Sequence, residues 1–245
     1  IVEPSNVDDT HVMKEILLAR AYAYYQLGAY RLALAGYQWL AGNFHDEKLP
    51  EILHAACTSA AFLQEPDRAK IFLSRLSEQF NSYPRLPEAV TSWVEALMRS
   101  KRYSEVLTEA LSFRETIEPG KPAREGLDFS VASAYYQLKK FRDASKAFRA
   151  FTQEFPLSPH RQTAAYQEAV CKVHMRQWAT ASTLLDAMDS ANRDFSDGIL
   201  YYLAVCSNEL DDPAKAMDKI AKLLDEHPNS THIPKSLNLA GDIHF

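Results

Sequence analysis

The sequence predicts an all-α fold of stacked helical hairpins, an α-solenoid, on three observations. A short motif recurs at nearly constant spacing. Small and large residues keep fixed places relative to it. Prolines fall where helices should begin or stop. Units of this length cannot bury an apolar face alone, so they stack and share a continuous core.

The motif is an aromatic residue or Pro, two residues, a small residue, three residues, and then an apolar one. It reads Tyr30-x-x-Ala33-x-x-x-Tyr37, Pro66-x-x-Ala69-x-x-x-Leu73 and Tyr103-x-x-Val106-x-x-x-Ala110. It continues as Phe141-x-x-Ala144-x-x-x-Phe148, Trp178-x-x-Ala181-x-x-x-Leu185 and Pro213-x-x-Ala216-x-x-x-Ile220. The anchors at 33, 69, 106, 144, 181 and 216 are separated by 36, 37, 38, 37 and 35 residues.

Two further series keep the same frame. Seven residues after the anchors stand Leu40, Leu76, Phe113, Phe151, Met188 and Leu223; twelve before them stand Ala21, Cys57, Val94, Ala132, Ala169 and Ala204. Positions three, four and seven apart share one face of a helix. The anchor and the large residues after it therefore form an apolar stripe on a second helix. The small residue lies on a first helix and lets the two approach closely.

Punctuation agrees. Asp212-Pro213 reads as an N-cap followed by Pro at the first helical position, where its missing N–H is harmless, and Glu65-Pro66-Asp67 holds the equivalent place. Pro156 and Pro228, each twelve after an anchor, should stop second helices. Pro84, Pro87, Pro119 and Pro122 bracket other boundaries. Tyr201–Cys206 looks strand-like locally, but the frame places it in a first helix. The expected organisation is an N-terminal extension at 1–11 and then units at about 14–49, 50–86, 87–124, 125–161, 162–196 and 197–232, with a partial seventh at 233–245.

This pattern resembles the tetratricopeptide repeat, whose first helix carries small-residue and Tyr signals and whose second carries Ala-x3-Phe and a closing Pro. Ala132, Tyr135, Ala144, Phe148 and Pro156 match best; Ala21, Tyr24, Gly28, Ala33 and Tyr37 match well. The resemblance covers roughly residues 12–245. The units are slightly longer than the usual period of about 34 residues. It implies a right-handed solenoid that binds proteins. The boundaries Phe155-Pro156-Leu157-Ser158 and His227-Pro228-Asn229-Ser230 are similar to those of bacterial cell-envelope members, the outer-membrane assembly lipoproteins and the Tol–Pal-associated repeat protein. A periplasmic, envelope setting is the expectation that follows, with the cytoplasm as the alternative. Chaperone-docking members hold a C-terminal carboxylate with fixed cations on successive first helices. The corresponding places here carry Leu18, Tyr22, His54 and Thr58, so that role is not expected.

Composition excludes other classes. Among 245 residues, 47% are hydrophobic and 24% charged, which suits a folded chain. The net charge of −5 and the absence of a basic stripe argue against nucleic acid; the densest basic spots are Lys139-Lys140 and Lys101-Arg102, at expected turns. Pentatricopeptide repeats, of similar period, are disfavoured by the same acidic balance. No apolar run approaches the ~18–20 residues of a membrane span. Cys57, Cys171 and Cys206 form no CxxC pair and read as buried small hydrophobes. The histidines read as isolated surface residues, since no HExxH or Cys/His ligand set occurs. No GxSxG elbow or ordered Ser/His/Asp set is present, Asp211-Asp212 reads as capping rather than paired catalytic carboxylates, and the sequon Asn229-Ser230-Thr231 reads as chance. Neither a catalytic role nor a cofactor is expected. The chain opens Ile1-Val2-Glu3-Pro4 without Met, so it is expected to be a piece of a longer protein.

Function should therefore sit on the groove lined by the first helices. The expected partner-binding residues are Tyr22, Tyr25, Gln26, Glu95, Arg99, Tyr136, Gln137, Tyr166, Tyr201 and Asn208, with Tyr supplying large, rigid contact area. The alternative for each ring is packing between neighbouring hairpins. The leading reading is a scaffold that holds a peptide or partner protein. The competing readings are a regulatory or spacer module attached to an enzyme outside this segment, and a self-associating unit.

Overall fold

The computed structural model describes residues 9–118, 120–188 and 195–244. Thirteen α-helices and no strand occur among them. They pair as α1 (Asp9–Gln26) with α2 (Tyr30–Asn43), α3 (Leu49–Phe62) with α4 (Pro66–Gln79), and α5 (Leu86–Arg99) with α6 (Tyr103–Arg114). The pairs continue as α7 (Pro122–Gln137) with α8 (Phe141–Glu154), α9 (Arg161–His174) with α10 (Trp178–Ala187), and α11 (Ser196–Glu209) with α12 (Pro213–Glu226). The thirteenth helix, α13 (Ile233–His244), opens a seventh unit. Because α1 begins at Asp9, the end of the segment expected as an extension, 1–11, is helical. Pro119 lies outside the described residues. The chain divides into two compact units, residues 1–130 and 131–245, and each is taken by itself below.

Every hairpin turns in the same way. Five residues before each anchor stand Gly28, Gln64, Lys101, Lys139, Arg176 and Asp211, all at positive φ between 56° and 71°. The next N–H bonds back to a carbonyl five residues earlier, as in Ala29 N to Tyr24 O at 2.9 Å, Lys140 N to Tyr135 O at 2.9 Å and Asp212 N to Ser207 O at 2.9 Å. This is the Schellman closure, which satisfies the last carbonyls of the first helix. Only the first hairpin uses Gly there; a side chain in this region costs on the order of 1 kcal/mol, and the other five turns hold it nonetheless. Asp212 caps α12 by accepting from Lys215 N at 3.0 Å. Glu65 does not cap α4; its carboxylate instead takes Arg68 at 2.6 Å.

The six anchors are 0% exposed, and the small first-helix residues from Ala21 to Ala204 at most 1%. Such burial leaves no room for larger groups and sets the spacing of the two helices in each hairpin. Leu40, Leu76, Phe151 and Leu223 are also buried. Phe113 and Met188 are half-buried: α6 and α10 have 12 and 10 residues, so these positions fall at or past the helix end. In unit one, buried Trp93 donates its indole N–H to Pro66 O at 3.0 Å, which ties α5 to the start of α4. Arg124 and Asp128, both buried, hold the turn before α7: Arg124 donates to Asp128 at 3.1 Å and to Ile117 O at 2.9 Å, and Arg114 reaches the same carboxylate at 2.6 Å.

Ala144→Leu should therefore overpack unit two and lower stability by roughly 1–3 kcal/mol. Lys222→Leu on the exposed face of α12 is the control. Equal melting temperatures for the two variants would contradict the frame.

Candidate partner-binding surface

In unit one, α1, α2 and α3 enclose an open cavity of about 540 Å³. Leu18, Tyr22, Tyr25 and Gln26 of α1 line one side, and His54, Ala55 and Thr58 of α3 the other. Tyr37 and Ile52 contribute buried surface. Burial pushes the Tyr37 phenol up to about 12, with smaller contributions from Tyr25 and Tyr22, so it stays neutral. Glu15, paired with Lys48 at 2.8 Å, and Arg85, paired with Glu88 at 2.9 Å, add charged edges. Tyr22 is 59% exposed; Gln26 is also exposed. The rim is therefore an open Tyr and an amide, above an apolar floor.

Two cavity residues are less available than first-helix placement suggests. Thr58 is buried and donates back to His54 O and Ala55 O, both at 3.1 Å. His54, expected at the surface, is 5% exposed and lies edge-on to Tyr83 at 6.0 Å. Desolvation, aided by Arg85 and opposed by Glu88, lowers its pKa to about 4. The imidazole is thus neutral at pH 7, and its Nε2 has no hydrogen-bond partner.

Glu95 and Arg99 do not line this cavity. They pair with each other at 3.0 Å along α5. Tyr25 belongs partly to packing: it meets Tyr30 edge-on at 5.5 Å and Phe62 at 6.3 Å, while Tyr30 and Phe62 stack at 4.4 Å.

Unit two repeats that trio. Tyr136 meets Phe141 at 5.8 Å and His174 at 6.4 Å, and Phe141 stacks on His174 at 4.2 Å. Each trio links one hairpin to the first helix of the next, so Tyr25 and Tyr136 combine contact area with inter-hairpin packing. Tyr166 is a correction to the expected surface. It is 9% exposed, stacked on Phe195 at 4.9 Å and clustered with Ala169, Leu185 and Leu203. A Cβ at Gly198 would lie 2.2 Å from its hydroxyl, so a glycine on α11 makes room for the ring inside the core. Tyr201 is half-buried and stacks on His232 at 4.9 Å. Asn208 is half-buried and Gln137 exposed.

The arrangement nearest to catalysis lies between α11 and α13. Ser230 Oγ donates to Asp197 Oδ2 at 2.6 Å, Gly198 N donates to Asp197 Oδ1 at 2.8 Å, and His227 Nε2 lies 3.0 Å from Ser196 Oγ. Burial acts to raise the Asp197 pKa, but these two hydrogen bonds and the nearby His232 and His227 hold it below the usual value. A nucleophilic serine needs a base to take its proton. Ser230 donates to a carboxylate whose pKa is held low, which makes it a weak base, and the set staples the α12–α13 loop to α11. The cysteines are buried, with pKa values pushed up by burial to about 12, 12 and 11 for Cys57, Cys171 and Cys206; they are thiols, not nucleophilic thiolates. No cluster of three His, Cys, Asp or Glu able to hold a metal occurs among the described residues. No described helix is long and apolar enough to cross a membrane.

Comparison with known proteins agrees with this architecture. A family model, the coatomer epsilon subunit, matches residues 127–240. No curated protein matches the chain significantly. Among solved structures, PilF of Pseudomonas aeruginosa superposes with a TM-score of 0.60 at 15% identity, over 91% of this chain and 95% of that one. PilW, a type IV pilus biogenesis factor, gives 0.59 at 16%, over 92% and 98%. A putative kinesin light chain of nearly identical TPR-like repeats, from Podospora anserina, gives 0.54 at 13%, over 76% and 100%. Six like-built hairpins with buried anchors, together with these superpositions, give the chain an all-α helical-repeat fold like that of tetratricopeptide-repeat proteins.

Proposed function

We propose that the chain is a protein-interaction scaffold without catalytic activity of its own, and that it seats a peptide segment of its partner on the first-helix face of unit one. The exposed Tyr22 ring above the open cavity carries this reading. A Tyr there offers a broad apolar surface and a hydroxyl at small entropic cost. The floor of Tyr37 and Ile52 gives a side chain a place to be desolvated, the setting in which hot spots form. Tyr25 and Gln26 extend the surface; Glu15 and Arg85 would orient the partner more than hold it. Of the other expected residues, Tyr136, Gln137, Tyr201 and Asn208 would offer further contact area in unit two. Placement in a bacterial cell envelope, as part of a larger assembly, is supported by the boundary motifs and by the likeness in fold to a pilus biogenesis factor.

The test starts from a partner captured with the intact chain, followed by calorimetry with purified proteins. Tyr22→Ala should weaken binding by ~2 kcal/mol or more, with the melting temperature unchanged. Full affinity in both Tyr22→Ala and Tyr25→Ala would remove this surface and favour a spacer role.

A further inference from the structure

Unit two carries a concentration of positive charge. Residues 139–176 hold eight Lys or Arg against three Asp or Glu, a net of +5, in a chain whose net charge is −5. The rest of the chain therefore carries −10. On α8, Arg142, Lys146 and Arg149 stand at i, i+4 and i+7, on one face. Together with Lys172 of α9 they line a cleft of about 230 Å³, with Met175 and Gln177 in its wall. An adjoining hollow of about 560 Å³ shares Arg142, Met175 and Gln177 and adds Lys139 and Lys140. The lining of both contains one acid, Asp143.

Pairing within the chain leaves most of this charge uncompensated. Buried Glu168 takes Arg149 at 2.8 Å and so fixes one guanidinium at the cleft edge. Arg142, Lys146 and Lys172 form no ion pair among the described residues. Like charges four apart on a helix weaken it, and the cleft retains Arg142 and Lys146 in that relation. In the sequence only the pair Lys139-Lys140 marks this patch, because helical spacing scatters its other cations.

We propose that this cleft is a second docking site, which takes an acidic segment of a partner protein. The charge is complementary, Met175 offers apolar contact, and Arg142 can hold a carboxylate with two parallel hydrogen bonds. A nucleic acid is disfavoured because its charge is continuous, whereas the cleft and its adjoining hollow gather only six cations in a chain of net charge −5. A short acidic stretch needs only the local patch.

The test uses the intact chain and a fluorescent decaglutamate peptide at low ionic strength. Decaglutamate should bind, and Arg142→Glu/Lys146→Glu should weaken it by at least about tenfold, the loss expected when desolvated charge pairs become like-charged. Lys215→Glu/Lys222→Glu, an equal change of net charge on exposed α12 positions, should cost less than about twofold. Binding should also fall as salt rises to about 0.15 M, where the screening length is about 8 Å. The milder Arg142→Gln/Lys146→Gln should lie between wild type and reversal; melting curves check that each variant is folded. No binding to wild type, equal losses in the two reversals, or tighter binding of a thymidine decamer than of decaglutamate would overturn the proposal.

Discussion

Tyr166→Ala is expected to destabilise the protein by about 3–5 kcal/mol, the usual cost of truncating a buried aromatic side chain. The ring is 9% exposed and stacked on Phe195, and it packs among Ala169, Val170, Leu185 and Leu203. Its neighbour Tyr202 lies 6.3 Å away. Removing it leaves a cavity between α9 and α11 that Gly198, without a side chain, cannot fill. The change should appear as a lower denaturation midpoint, with a binding loss no larger than the unfolded fraction explains. Tyr22→Ala, at 59% exposure, should shift stability by no more than about 0.5 kcal/mol. Equal stability effects at the two positions would contradict the division of tyrosines into packing and contact residues.

The second large effect is a pH dependence carried by His54. Its pKa falls from 6.5 in the unfolded chain to about 4 in the folded one, because burial and Arg85 outweigh Glu88 at 3.7 Å. A depressed folded pKa stabilises the protein above the unfolded value. As pH falls through 6.5 the unfolded chain takes a proton that the folded chain refuses, so stability declines down to about pH 4 and then levels. The difference corresponds to about 3 kcal/mol. Denaturant melts between these pH values should show that decline in the wild type and a much flatter profile in His54→Gln. Parallel profiles would mean that the imidazole is not kept neutral by burial.

The repeats were legible because their signals are redundant. Each unit states its anchor, the small residue on the first helix and the large residues of the second helix, and the pattern survives when one fails, as with Val106 or Phe113. The turns were less legible. The left-handed position carries Gly once and otherwise Gln64, Lys101, Lys139, Arg176 and Asp211, so local propensity gave no sign of it; the hydrogen bonds of the closure and the packing of the helices it joins impose it.

The candidate surface was legible only in part. First-helix position marks a residue as facing the neighbouring hairpins or the groove, but does not say which. Tyr22 and Tyr166 both belong to first helices; Gly198, 32 residues further along the chain from Tyr166, draws one ring into the core. Glu95 and Arg99 lie four apart, and that spacing let them satisfy each other. His54 is polar by type, yet it is enclosed beside Tyr83 by tertiary packing. The basic cleft was hidden because its cations come from the turn before α8, from α8 itself and from α9, and only folding brings them to one place.

The most direct test of the central claim is site-specific photocrosslinking to the captured partner. A photoreactive side chain is placed either at Tyr22, on the first-helix face of unit one, or at Leu32, a 54% exposed position on α2 that lies outside the Tyr22 cavity. The partner should crosslink from position 22 and not from position 32. Crosslinking from position 32 alone would contradict a partner seated on the first helices.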